Sequence, residues 1–348
     1  MAAVEAGRDE VAEEARAVRV IGDPDGRRPG RARSWGGVSI AVVSAATFGA
    51  SGTFGASLLD AGWTPATAVL ARVTLAALLL TVPAVLALRG QWGRLRRSWG
   101  TAVGYGLIGV AACQVCYFNA IERMPVGIAL LIEYTGSVLV VGWLWLRHGQ
   151  RPRRLTIGGA AASVAGLALM VAVGGSGEAS ASSAAGGGSL VGFAWALAAA
   201  VSIAVYFVLS AGPARPARGK TENEEPLSPI ALAWAGMWVG AAALGLLLAL
   251  HALPFGASAH DVVLLRHQVP WVVPVVGIAL LSTAVSYSTG IVAARRLGAK
   301  LASFIAMAEI LFATLYAWAL LGQLPSATQF LGGALILAGV TLVKIDES

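Results

Sequence analysis

Long apolar runs dominate this chain, and runs of that length leave the backbone few options. A helix needs about 20 mainly apolar residues to cross the ~30 Å hydrocarbon layer of a bilayer. Inside that layer every backbone N–H and C=O must be satisfied by the chain itself. Such windows occur ten times, near residues 36–58, 66–88, 101–121, 126–146, 156–175, 190–211, 230–253, 270–292, 300–321 and 327–344. Only 12% of the 348 residues are charged, against roughly 25% in a soluble domain. The shortage is sharper than that figure, because residues 1–34 hold seven basic and seven acidic residues and leave 29 charges for the rest. A cytosolic enzyme, a nucleic-acid binder and a disordered protein are all excluded, the net charge of +7 notwithstanding. The expected class is an all-α membrane protein with lipid as its solvent.

The few charges also orient it. If the N-terminus is cytoplasmic, 22 of the 25 Lys and Arg residues fall on the cytoplasmic side. Only Arg123 and Arg266 fall on the other side, and Arg72 lies inside the second span. That bias follows the positive-inside rule and predicts ten spans with both termini cytoplasmic. Residues 1–34 read as a disordered cytoplasmic tail, 35–175 as a first unit, 176–189 as a flexible Gly/Ser/Ala linker outside the cell, and 190–348 as a second unit. A further flexible connection is expected over 212–229, with its four prolines. Trp35, Trp143 and Trp145 fall near span ends, as interface anchors do.

The two units are related. Sliding residues 145–170 by 173 positions onto 318–343 gives nine identities in 26, including the ordered string Trp145/Trp318, Gly149/Gly322, Gln150/Gln323, Pro152/Pro325 and Gly159/Gly332. This offset divides the spans five and five. Five is odd, so the second half enters the membrane from the opposite side, and the halves form an inverted repeat with a shared cavity near the midplane.

Several stretches match a known family: Met124-Pro125-Val126-Gly127-Ile128-Ala129 running into Glu133-Tyr134-Thr135-Gly136, and Leu281-Ser282-Thr283-Ala284 followed by Tyr287-Ser288. Shorter matches are Ala71-Arg72 and Met307-Ala308-Glu309. Over about residues 36–344 the chain resembles the EamA-type members of the drug/metabolite transporter superfamily, and among them the bacterial threonine/homoserine exporters. The resemblance implies the ten-helix EamA fold, a bacterial inner-membrane location and export of small metabolites. It also exposes departures. The family pattern has proline where this chain has Ser137, Ser286 and Ile310, and glutamate where it has Gln150 and Gln323. Membrane-helix prolines create kinks, so their loss predicts straighter, stiffer helices.

Charges within a span are costly and usually face a cavity or a partner. Arg72 and Glu133 lie six and seven residues from the outer ends of spans 2 and 4, at a similar depth of ~9–11 Å, so they can meet. Arg72 then holds a substrate carboxylate while Glu133 faces an ammonium or carries a coupling proton; the alternative is a structural ion pair. Glu309, nearer mid-membrane, suits a proton-coupling carboxyl or a structural hydrogen bond to Ser282 and Ser286 of span 8. Tyr117, Asn119, Tyr134, Thr135, Ser137, Tyr206, Ser286 and Tyr287 complete the candidate substrate-binding set. Ser44, Ser51, Ser163 and the Gly49-x-x-Gly52-x-x-Gly55 run read as helix packing, and Cys113 and Cys116 as small buried packing residues.

No histidine, cysteine or carboxylate set has metal-ligand spacing, and no catalytic triad or nucleotide-binding loop can be assembled. The expected protein is therefore not an enzyme and needs no cofactor. Its partners are a small-molecule substrate, protons and the lipid bilayer, without nucleic acid, and it works as a monomer or homodimer. The expected function is proton-coupled export of an amino acid by alternating access. Two alternatives stand beside it: export of lipophilic cations, and a transport-impaired scaffold stiffened by the missing prolines.

Overall fold

The computed structural model describes residues 31–347, apart from 91, 124–125, 150–151, 175–187, 213–226, 266 and 322–325. The expectations of a disordered tail and of flexible linkers fall mainly outside these residues. The compact unit Gly37–Ser348 holds the membrane region, and only residues 31–36 of the preceding unit are described.

Each apolar run forms helix, as a backbone without water must. Among the described residues, seven helical stretches are long and apolar enough to span a membrane: Gly36–Asp60, Pro65–Ala87, Trp99–Ile121, Ala129–Arg147, Leu190–Ala211, Pro229–Ala249 and Val272–Ala306. The last, of 35 residues, bends at Gly298, whose φ of 83° is open to glycine and strained for other residues.

In chain order the helices are α1 (Arg31–Gly49), α2 (Ser51–Asp60), α3 (Pro65–Ala87), α4 (Trp92–Arg97), α5 (Trp99–Gly104), α6 (Cys113–Ile121), α7 (Val126–Tyr134) and α8 (Gly136–His148). They continue with α9 (Arg154–Gly174), α10 (Gly188–Ala211), α11 (Pro229–Ala249), α12 (Val272–Ala279), α13 (Ser286–Ala306), α14 (Glu309–Leu321) and α15 (Ala327–Glu347). Exposed apolar side chains such as Leu78 and Val82 on α3, Leu190 and Val201 on α10, and Phe330 and Leu337 on α15 form outward faces suited to lipid.

The repeat seen in the sequence recurs in the backbone. Wide π-helical turns occupy Tyr105–Ala112 and Leu280–Val285, and helix breaks fall at Thr135 and at Met307–Ala308. Shifting the first of each pair by 173 residues lands on or beside the second. The helix pair α9 and α15 shows the same symmetry. A Cβ on Gly159 would sit 2.6 Å from the Gly339 oxygen, and one on Gly166 would sit 2.5 Å from the Gly332 oxygen. Gly159 and Gly332 are repeat equivalents, as are Gly166 and Gly339, so these two contacts are one contact related by a two-fold operation.

The loss of the family prolines does not leave the α pattern of these helices uninterrupted. Spans 4 and 9 break without proline, because short i to i−3 bonds replace the α pattern. Thr135 N–H donates to the Ile132 oxygen at 3.0 Å and Thr135 Oγ1 donates to it at 2.6 Å. Around the second break, Ala308 N–H reaches Ile305 O at 2.9 Å and Leu311 N–H reaches Ala308 O at 3.0 Å. Ser137 and Ile310 both sit just after a break, and Ser286 directly follows a π-turn. Of the span-1 glycines, Gly49 and Gly55 are closely approached by Glu309 and Phe118, whereas Gly52 faces open space.

At the end away from α1's start, segment 250–271 docks on the α2–α3 turn. Thr64 N–H donates to Gly256 O at 3.0 Å, Trp63 Nε1 donates to Ser258 O at 2.9 Å, and the Trp63 and Trp271 rings lie 5.7 Å apart. This segment carries a small hairpin, β1 (Val262–Leu264) paired antiparallel with β2 (His267–Val269).

Candidate functional site

The breaks and π-turns surround a cavity between the two halves. Its wall includes Ser44 and Phe48 from α1, Ser51 from α2, Cys113, Gln114 and Tyr117 from α6, and Glu133 and Tyr134 from α7. The second half contributes Tyr206 and Phe207 from α10, Tyr287 from α13 and Glu309 from α14. The cavity has a volume of about 60 Å³, enough for a few ordered waters or a small polar group.

Two carboxylates face this space. Glu309 opens α14 directly after the Met307–Ala308 break, and its Oε2 accepts a hydrogen bond from the Tyr134 hydroxyl at 2.5 Å. Glu133, next to Tyr134 at the end of α7, accepts from Cys113 Sγ at 3.6 Å. The Tyr134–Glu309 bond joins the two broken helices, span 4 to span 9, across the halves.

Arg72 lies behind the wall and is fully buried. It does not meet Glu133. Its Nε donates to Thr283 Oγ1 at 2.9 Å, Nη1 to Gln114 Oε1 at 2.8 Å and Ser51 Oγ at 3.2 Å, and Nη2 to the Ser282 oxygen at 3.0 Å. The acceptors are available because of the π-turn Leu280–Val285. There Thr283 Oγ1 bonds back five residues to Ile278 O at 2.8 Å, and the Ser282 carbonyl points to the guanidinium rather than along an α-helix. The Phe118 ring lies 6.0 Å from Arg72 Cζ, the outer limit of a cation–π contact. Equal depth therefore did not bring Arg72 and Glu133 together, because depth says nothing about which side of its helix a residue occupies. The buried cation is solvated by neutral groups instead, four of its five N–H positions being visibly used.

The other predicted residues divide. Glu133, Glu309, Tyr117, Tyr134, Tyr206 and Tyr287 line the cavity. The remaining predicted hydroxyl and amide groups do not line it, and their bonds are internal. Thr135 bonds its own helix, and Asn119 Nδ2 bonds Val115 O while its Oδ1 accepts from Arg123. Ser137 Oγ crosses to Ser303 O at 3.1 Å. Ser286 Oγ donates to Ser44 O at 3.0 Å, and Ser44 Oγ donates to Ser286 O at 2.9 Å, a reciprocal clasp between α1 and α13.

Sequence reasoning missed Gln114, which bridges Arg72 and Tyr287: its Nε2 donates to the Tyr287 hydroxyl at 3.0 Å. Gln114 and Tyr287 are 173 residues apart, so extending the repeat offset beyond residues 145–170 pairs them directly. Cys113, Ser44 and Ser51, read as packing residues, also line the cavity or hold Arg72. Among the described residues no group of three or more His, Cys, Asp or Glu is arranged to hold a metal ion.

Comparison with known proteins agrees with this architecture. The model of the EamA-like transporter family matches residues 35–172 and again 190–345. Among solved structures, the crystal structure of one protein superposes with a TM-score of 0.68 at 22% identity, over 89% of this chain and 96% of the other. Identity that low speaks for the fold alone. No curated protein matches the chain in sequence. With most of its length matched in two successive halves, this multi-pass membrane protein belongs to the EamA-like transporter family.

Proposed function

We propose that this protein is a secondary exporter of small polar metabolites, foremost amino acids of the threonine/homoserine type, driven by protons moving the opposite way. The reading places ten spans in a bacterial inner membrane, with both termini in the cytoplasm. The observation that carries it is a cavity between inverted halves into which two carboxylates, Glu133 and Glu309, project with no basic residue hydrogen-bonded to them among the described residues. Such a carboxylate can hold either a proton or an ammonium, and competition between the two couples cargo leaving to protons entering. The equivalent breaks at Thr135 and Met307–Ala308 supply bending points, and the Tyr134–Glu309 bond links them, so that exchange at Glu309 is felt by both halves.

One observation favours a second cargo. The charged groups in the wall are acidic, and Phe48, Tyr117, Tyr134, Tyr206, Phe207 and Tyr287 surround them; an aromatic, anionic cavity also suits a lipophilic cation. The stiffened-scaffold alternative draws less support, since the α pattern is interrupted at Thr135 and at Met307–Ala308 without the prolines. Proteoliposomes under a pH gradient separate the readings. Threonine and homoserine flux is expected, and Glu133→Gln should abolish it while leaving the protein folded. Flux of a quaternary ammonium dye alone would favour the second cargo, and unchanged flux in Glu133→Gln would remove that residue from the mechanism.

A further inference from the structure

Between Arg72 and the cavity stands Gln114, and the way its amide is held decides what the wall offers to a cargo. A guanidinium can only donate hydrogen bonds, so the amide oxygen must face Arg72; the Nη1 to Oε1 distance is 2.8 Å. The amide nitrogen, which can only donate, is thereby turned to the Tyr287 hydroxyl at 3.0 Å. Tyr287 accepts that bond, so its own hydrogen is left to point elsewhere. The residue is 2% exposed and lines the cavity, and no hydrogen-bond acceptor for it is found among the described residues.

We propose that the Arg72–Gln114–Tyr287 relay makes Tyr287 a fixed hydrogen-bond donor for the carboxylate of a zwitterionic cargo, whose ammonium is met by Glu133 or Glu309. This rests on the amino-acid reading given above and names the donor that it lacks. Arg72 does not reach the cavity, being fully buried with four of its five N–H donors engaged, but two hydrogen bonds in series polarise one another and carry its influence into the cavity. An anionic acceptor gains most from such a donor. Gln114 and Tyr287 are also repeat equivalents, so their bond lies where the two halves meet and is displaced least when one rocks against the other. Arg72 and Gln114 are positioning residues; Tyr287 is the group that meets the cargo.

Gln114→Glu tests the polarity of the relay rather than its presence. A carboxylate there can only accept, so it pairs with Arg72 and takes the Tyr287 hydrogen, turning Tyr287's lone pair to the cavity. Affinities of the purified full chain are measured for threonine and for 1-amino-2-propanol, which is threonine with hydrogen in place of the carboxylate. Threonine binding should weaken about tenfold, the worth of one charged hydrogen bond, with the amine bound as well as before or better. Tyr287→Phe should weaken threonine similarly and spare the amine, and thermal unfolding checks that each variant is folded. Unchanged threonine affinity in folded Gln114→Glu, or equal losses for both probes, would overturn the relay. If Gln114→Glu does not fold, Tyr287→Phe decides: selective loss of threonine supports the assignment and equal loss overturns it. A wild-type protein that binds no threonine overturns the amino-acid reading and this inference together, whereas threonine binding indifferent to both substitutions overturns the inference alone.

Discussion

Two regions of this membrane protein solve the same problem in opposite ways. The pair α9 and α15 is continuous, and its glycines let two backbones approach until a single Cβ has no room. The helices around the cavity are interrupted at Ala50, Thr135 and Met307–Ala308 and widened at Tyr105–Ala112 and Leu280–Val285. Continuous helices satisfy their own backbone and leave little polar for anything else. Interrupted ones release carbonyls and hydroxyls, and these are the groups that hold Arg72 and clasp α1 to α13. The difference separates a closely packed support from a region whose polar groups reach across to other helices.

That contrast can be broken or sharpened by substitution. The largest effect is expected from Ala162→Pro in the middle of α9, where a lost backbone bond and a ring clash cost about 3 kcal/mol or more; thermal unfolding in detergent should show a collapse of folded protein. Gly166→Val comes next. Its Cβ would lie 2.5 Å from the Gly332 oxygen, and overpacking at a backbone contact should cost about 2–3 kcal/mol by the same measurement. In the interrupted region, Arg72→Lys keeps the charge but cannot reproduce the planar fork that serves Thr283, Gln114, Ser51 and Ser282 together. A stability loss of about 2 kcal/mol is expected, and wild-type stability would mean that the neutral shell is dispensable. Tyr134→Phe removes the donor to Glu309 beside a cavity that water can enter. It should cost about 1 kcal/mol in stability yet slow proteoliposome flux, and full flux would show that the bond between spans 4 and 9 is not used in transport. Smallest of all should be Ser137→Pro, at about 1 kcal/mol for the lost bond to Ser303, because Ser137 is the second residue of α8, where proline is tolerated. A loss as large as that of Ala162→Pro would contradict the view that the break at Thr135 is already made.

Much of the site was legible in residue types and little of it in residue partners. Glu133, Glu309, Tyr117, Tyr134, Tyr206 and Tyr287 stood out as polar or aromatic groups inside apolar runs, and all of them line the cavity. Asn119, Thr135, Ser137 and Ser286 stood out for the same reason and line none of it, because a membrane helix hides a hydroxyl or amide equally well against its own backbone or a neighbour. Gln114 escaped notice although it carries the contact between Arg72 and Tyr287. Its importance depends on azimuth, and periodicity in a helix apolar on every side carries no azimuth.

By itself, the amino-acid sequence determined the helical membrane class, the two related halves and the short list of polar residues within the apolar runs. Chain length against bilayer thickness, the scarcity of charge and a 173-residue offset sufficed, since each is a one-dimensional property. Only the tertiary structure decided that Arg72 rests among neutral oxygens rather than against Glu133. It alone also decided that the α pattern is interrupted where proline is missing, and that Gln114 meets its own repeat equivalent. Those outcomes depend on which face each helix turns to its neighbours and on where i to i−3 and i to i+5 bonds displace the α pattern. Both are settled by packing, where a difference of one or two kcal/mol chooses the partner.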